Sequence, residues 1–161
     1  MNRYLRPMSE GLGLIVILLL TCGGCGRTSL NAHGDSSAMD GPAPVLISVI
    51  SDMNSNPQAV DMAMKFAGFA LDESRDVFMF FNVKGVSVPS SQLTDDTAFQ
   101  ENAPVKEQLA QLIERGAKVH VCPVCMKALD VTAADLMTGA EVTNRAALFG
   151  AIERGTCVFT Y

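Results

Sequence analysis

The chain has 161 residues, with 12 Lys and Arg against 17 Asp and Glu for a net charge of −5, and 48% of its residues are apolar. A mildly acidic chain without a basic run argues against nucleic acid as a partner. No internal repeat is visible, and the length past the first segments suits one domain around one core.

Arg3 and Arg6 precede an uncharged stretch from Gly11 to Thr21, and the small-residue run Cys22-Gly-Gly-Cys-Gly26 follows it. This reads as a secretory signal, with export to the periplasm or anchoring in the cell envelope as the expected location. The apolar stretch is roughly half of the ~20 residues a spanning helix needs, so an uncleaved anchor is the lesser alternative. Cys25, preceded by Gly23 and Gly24, resembles the lipidated cysteine of a bacterial lipoprotein signal, with ordinary cleavage as the other outcome. Residues 1–25 are therefore expected to be a signal peptide, 26–43 a flexible tether rich in Gly, Ser and Ala, and 44–161 the domain. His33 falls in the tether, where solvent is its expected surrounding. Losing Arg3, Arg6 and Glu10 with the leader changes the charge count to 10 − 16 = −6.

Val45 to Ile50 is an almost unbroken aliphatic run, as in a strand covered on both faces of a parallel sheet. After a polar loop, Asn56 can cap and Pro57 can start a helix whose apolar stripe is Val60, Ala63, Met64, Ala67 and Leu71. Met62, Phe66 and Phe69 widen that stripe, as a broad core face or else a subunit contact. Asp76 to Val83 predicts a second buried strand. The aperiodic run from Gly85 to Ala103 is long for a connection and suggests a lid or binding loop. Pro104 then opens a helix with Val105, Leu109, Leu112 and Ile113 inward and Gly116 at its end.

Lys118 to Val121 is the third strand, and it delivers Cys122-Pro-Val-Cys125. Cys122 fits an N-cap, Pro123 the first helical position and Cys125 the first turn, where unpaired N–H groups and the helix dipole favour a thiolate. Thr132 to Asp135 has the pattern of a capping box. A short strand near Ala140–Val142 comes next. A last helix capped by Asn144 carries Ala147, Leu148, Ala151 and Ile152 inward, and a final strand spans 156–160 with Cys157 as a core residue. Strand and helix alternate, giving an α/β domain with a mostly parallel sheet of about five strands. The loops after the first, second and third strands should share a crevice at the carboxyl ends, with Asp52 and Asn54 as ligand candidates.

From Val45 onward the chain resembles the DsrE/DsrF-like family of small sulfur-relay proteins. The resemblance rests on Val45 to Asn54, on Pro57 to Leu71, and above all on Val119-His-Val-Cys-Pro-Val-Cys-Met-Lys-Ala-Leu-Asp-Val131. It implies a flavodoxin-like three-layer fold, assembly into trimers or hexamers, and a persulfide on Cys122 at the end of the central strand. Partners would be a sulfur donor or acceptor, either a protein or a small sulfur compound. Cys125 adds a second thiol, which would resolve the persulfide or close a disulfide with Cys122 in an oxidising compartment.

Other readings of the pair stay open. One is a dithiol oxidoreductase, and another a ligand- or partner-binding module with structural cysteines. Zinc held by Cys122, Cys125 and His120 is a further option by ligand type, although no resident metal is expected. In a strand, His120 and Cys122 share a face with about 6–7 Å between Cα atoms, so His120 could support the thiolate or simply be packed. No phosphate loop, GxGxxG or Ser/His/Asp order is present, and no cofactor is expected.

Overall fold

The computed structural model describes residues 41–152 and 155–161. The predicted leader, Cys25, His33 and the tether as far as residue 40 lie outside the described residues. No helix among the described residues is long and apolar enough to cross a membrane.

Five parallel strands form one sheet in the order β4-β3-β2-β1-β5: β1 is Val45–Val49, β2 Val77–Phe81, β3 Lys118–Val121, β4 Ala140–Val142 and β5 Cys157–Thr160. The helices are α1 (Pro57–Asp72), α2 (Val105–Glu114), α3 (Pro123–Ala128) and α4 (Arg145–Gly150). The α/β fold with a parallel sheet expected from the alternation, and the flavodoxin-like architecture that the resemblance implies, are what the chain adopts.

Alternate residues decide the faces. Val45, Ile47 and Val49 are registered with Val77, Met79 and Phe81, and this face packs under α1 and α2 as the main core. Ile47, Val49, Met79 and Phe81 are all fully buried, each contributing about 1.5–3 kcal/mol relative to exposure. The predicted α1 stripe is buried at Val60, Ala63, Met64 and Ala67, while Leu71 is only half-buried. Asn56 caps α1 through its Oδ1, which accepts the Ala59 N–H at 3.2 Å. Gly116, at φ +104°, closes the turn after α2 in a conformation that costs a side-chain-bearing residue.

The opposite face differs from a fully covered three-layer sheet. Three successive steps from β1 to β4 run in one direction, so right-handed crossovers place α1, α2 and α3 on one side. Only the return from β4 to β5 crosses the other face, and α4 on that path has six residues with no fully buried side chain. Of the inward stripe expected for the last helix, Ala147, Leu148 and Ala151 are partly buried and Ile152 is exposed, as is Phe149 beside them. At the sheet edge every residue of β5 is exposed, including Cys157, which is therefore not the core residue its apolar strand suggested. The reason is position: β5 pairs only with β1 and has no helix over it beyond the Phe66 side of α1.

The segment between β2 and α2 is anchored, unlike a free lid. It starts in a 3₁₀ turn at Val83–Ser87, and Val86, Val88 and Ser90 are completely buried. Ser90 bridges Leu136, the Met137 N–H donates to the Pro89 carbonyl at 2.8 Å, and the Asn102 amide donates to buried Asp61 at 2.9 Å. Ser91 also meets Asp135, whose Oδ2 caps Thr132 as the box pattern predicts.

Candidate dithiol site

β3 has β2 on one side and β4 on the other, so Cys122 leaves the carboxyl edge of an interior strand. That strand is one step from the centre of the sheet, which is β2. The Cys122 N–H donates to the Phe81 carbonyl and its own carbonyl accepts from Met126, each at 2.9 Å. The cysteine is thus held at the end of the sheet ladder and the start of α3 at once. Pro123 opens the helix as expected, but α3 has only six residues, so few aligned peptide dipoles lie behind the thiol.

Cys122 and Cys125 are both free and half-buried, and Cys122 lies near enough to act on the Cys125 thiol. Burial is the main influence that pushes the Cys125 thiol above the ordinary range, and the neighbouring Cys122 acts in the same direction. The polar backbone of Val83 works the other way. Val83 has φ +51°, a left-handed conformation that is strained for a β-branched residue. The strain is held from both sides. Asn82 donates its N–H to Val49 at 2.9 Å and its amide to Ser48 at 2.9 Å, while Gly85 passes so close to β1 that a Cβ would collide with the Val49 carbonyl oxygen.

His120 belongs elsewhere. Its ring stacks on Phe78 with centroids 4.5 Å apart and planes 10° from parallel. Phe78 is registered with Lys118, so the ring leans back along β3, away from Cys122. Burial lowers its pKa; Glu141 opposes this and Lys118 adds to it, with no cysteine among the influences. Its Nδ1 is buried without a partner. Support of the thiolate by His120 is therefore not part of the arrangement. Among the described residues no three His, Cys, Asp or Glu side chains converge on a metal position, which leaves the zinc option without a geometric basis.

Asp52 and Asn54 line a crevice of about 210 Å³ with Lys84, Ser87, Gln92 and Leu129. The loops after β1 and β2 do meet, as the parallel topology predicts, and Leu129 brings the end of α3 to them. The two cysteines are not in its lining, so the expected single crevice contains the ligand candidates without the thiols. Asp52 is partly buried, which raises its pKa, but hydrogen bonds from the Ser55 side chain and backbone outweigh this and leave it lowered. A shallow, mostly apolar groove beside Pro123, Met126, Val131 and Val142 flanks the other side of α3.

A family model for the DsrE/DsrF-like family matches residues 45–161. The chain belongs to that family. Among solved structures, the YchN protein of E. coli matches this DsrE-like domain with a TM-score of 0.60 at 16% identity, covering 74% of this chain and 100% of that one. A protein of unknown function from Methanobacterium thermoautotrophicum, MTH1491, matches with a TM-score of 0.58 at 14% identity, again over 74% of this chain and 100% of its own. At these identities the likeness shows the fold. Comparison with curated proteins finds no match. Membership associates the DsrE-like domain with sulfur relay in general. Two neighbouring thiols can hold a sulfane sulfur, close a disulfide, or exchange between the two states.

Val83 and Gly85 were not legible as site residues. A valine after an apolar run gives no sign of a left-handed backbone, and Gly85 was the one local signal of a close approach.

Proposed function

We propose that this DsrE-like protein handles sulfur at the dithiol, carrying it as a persulfide on Cys122 with Cys125 as the second, resolving thiol. The observation that carries the reading is the pair of free, neighbouring thiols at a strand's carboxyl edge and the start of α3 in a chain of this family. The donor or acceptor is a sulfur-bearing protein or small sulfur compound. The leader sequence supports an exported protein, in the periplasm or attached to the envelope through Cys25 or an uncleaved leader. Assembly with copies of itself, as trimer or hexamer by family resemblance, is supported by exposed Phe149, Ile152 and Val158 on the thinly covered side of the domain.

The test is mass spectrometry of reduced protein after inorganic polysulfide, a sulfane-sulfur donor. The expected product carries one added sulfur atom on the peptide containing Cys122, and Cys122→Ser abolishes it. Unmodified protein, or unchanged uptake in Cys122→Ser, refutes the reading.

The dithiol oxidoreductase reading is favoured by the same spacing of two free thiols at the start of α3. It predicts a reversible Cys122–Cys125 disulfide with dithiol reduction activity in the absence of any sulfane donor.

A further inference from the structure

We propose that the crevice of about 210 Å³ between the loops after β1 and β2 binds a zwitterionic thiol of amino-acid size, with Asp52 holding its ammonium and Lys84 its carboxylate. The two opposite charges come from separate segments and line one small cavity. Asp52 is fixed by its own loop, where its Oδ1 accepts from the Ser55 N–H at 2.6 Å and from the Ser55 hydroxyl. An ionised carboxylate has about four acceptor sites, so these bonds leave room for an ammonium. Lys84 and Ser87 stand three residues apart on the 3₁₀ turn, where such pairs eclipse, and both reach the crevice. Among the described residues the ion pairs use Lys65, Lys106 and Arg115, which leaves the charge of Lys84 available to a ligand. Met53 and Leu93 add an apolar part to the lining. The volume falls below the roughly 300–1,000 Å³ of pockets that take drug-sized ligands, which selects a small molecule. One that carries both charges satisfies both walls, whereas a simple anion or cation leaves one charge without a partner.

The sulfur arm follows from Leu129. This residue lines the crevice, and its N–H donates to the Cys125 carbonyl at 3.1 Å, one turn back along α3. Residues four apart on a helix share a face with about 5–6 Å between their Cβ atoms, so a thiol arm directed along α3 meets Cys125 before Cys122. The 3₁₀ turn that supplies Lys84 and Ser87 packs against the same helix. A larger cavity of about 330 Å³ lies by Pro44 and Val77 at the amino ends of β1 and β2, the far end of the strands from both thiols.

This role rests on the sulfur-handling reading and names its reductant. When Cys125 attacks the Cys122 persulfide, hydrosulfide leaves and a Cys122–Cys125 disulfide remains. The seated ligand's thiolate then attacks Cys125: the bond from Cys125 to the ligand sulfur forms, the Cys125–Cys122 bond breaks, and the electron pair leaves on Cys122. A second thiol of the same class attacks the ligand sulfur, Cys125 departs as thiolate, and the two ligands leave as their disulfide. The protein gains two electrons and each ligand loses one.

The binding probe is S-methyl-L-cysteine, which keeps both charges and cannot exchange disulfides, titrated into the reduced full chain under ¹⁵N NMR. Saturable shifts are expected at the amides of residues 52–55 and 84–87, with a Kd on the order of 1 mM. Lys84→Gln and Asp52→Asn should each weaken binding about tenfold, the scale of one hydrogen bond to a charged group. So should removal of either charge from the probe, as in 3-(methylthio)propionate or 2-(methylthio)ethylamine. In Cys122→Ser, L-cystine should cap Cys125, and adding Lys84→Gln should slow that capping about tenfold. A Kd weaker than about 10 mM overturns the proposal, as does equal binding by Lys84→Gln or of 3-(methylthio)propionate, or a capping rate that Lys84→Gln leaves unchanged. Neither probe carries sulfane sulfur, so failure here is distinct from failure of polysulfide to load Cys122.

Discussion

Asp61 is a carboxylate on the buried side of α1, 1% exposed, and its replacement by alanine should loosen the long connection between β2 and α2. Its Oδ1 accepts the Asn102 amide at 2.9 Å, and its Oδ2 pairs with Lys65 at 2.7 Å. The Lys65 side chain is 42% exposed and can turn to water, so loss of the ion pair contributes only about 0–1 kcal/mol. The Asn102 donor is part-buried and loses its acceptor, which costs about 1–3 kcal/mol. Asp61→Ala should therefore lower stability by about 1–4 kcal/mol, and Asp61→Asn, which keeps an acceptor oxygen, by about 1 kcal/mol. Urea unfolding followed by circular dichroism measures both, and limited proteolysis between residues 88 and 104 reports the loosened segment. Made in an Asn102→Ala background, Asp61→Ala should cost at least 1 kcal/mol less, because the donor is already gone. Additivity within about 0.5 kcal/mol, with unchanged proteolysis, would mean that the contact does not anchor the segment.

Cys122→Ala removes a neighbour that raises the Cys125 pKa, so the Cys125 alkylation midpoint should fall towards its ordinary value; an unchanged or higher midpoint contradicts the coupling. His120→Phe should leave the pH profile of cysteine alkylation unmoved, because the ring leans on Phe78 instead of Cys122. The folded state lowers the His120 pKa, so the unfolded chain binds this proton first and stability falls as pH drops below about 6.5; in His120→Phe this part of the pH dependence should disappear. Asp135 is lowered by hydrogen bonds from Thr132 and Ser91, so its contribution is present above the unfolded carboxylate value and lost as pH falls below it. Asp135→Asn should flatten the acid limb of thermal unfolding below about pH 4, and an unaltered limb would refute this assignment. Phe81→Ala empties a fully buried site under α1 and α2 and should cost about 3–5 kcal/mol in urea unfolding.

Local chemistry determined much of this protein by itself. Aliphatic runs set β1 and β2, Asn56 and Asn144 cap the helices they precede, and Cys122-Pro123 ends a strand and begins a helix. Each is decided within a few residues by side-chain periodicity, a capping oxygen or proline's missing donor, so each is legible in one dimension. Which strand lies at the edge is not. The apolar run Cys157-Val-Phe reads as core, yet β5 has one neighbour and almost no cover, because the chain placed its first three helices on one side of the sheet. His120 shares a face with Cys122 by strand period, and only the stacking on Phe78 decides that it turns away. Asp61 lies outside the α1 stripe read from the sequence, and the partner of its buried carboxylate, Asn102, comes from 41 positions along the chain. The dithiol follows the same division. The sequence placed Cys125 one turn after Cys122, whereas only the fold brings the Val83–Ser87 turn against α3. Spacing along the chain governs what a residue's own backbone does, but only the packing of distant segments governs what its side chain meets.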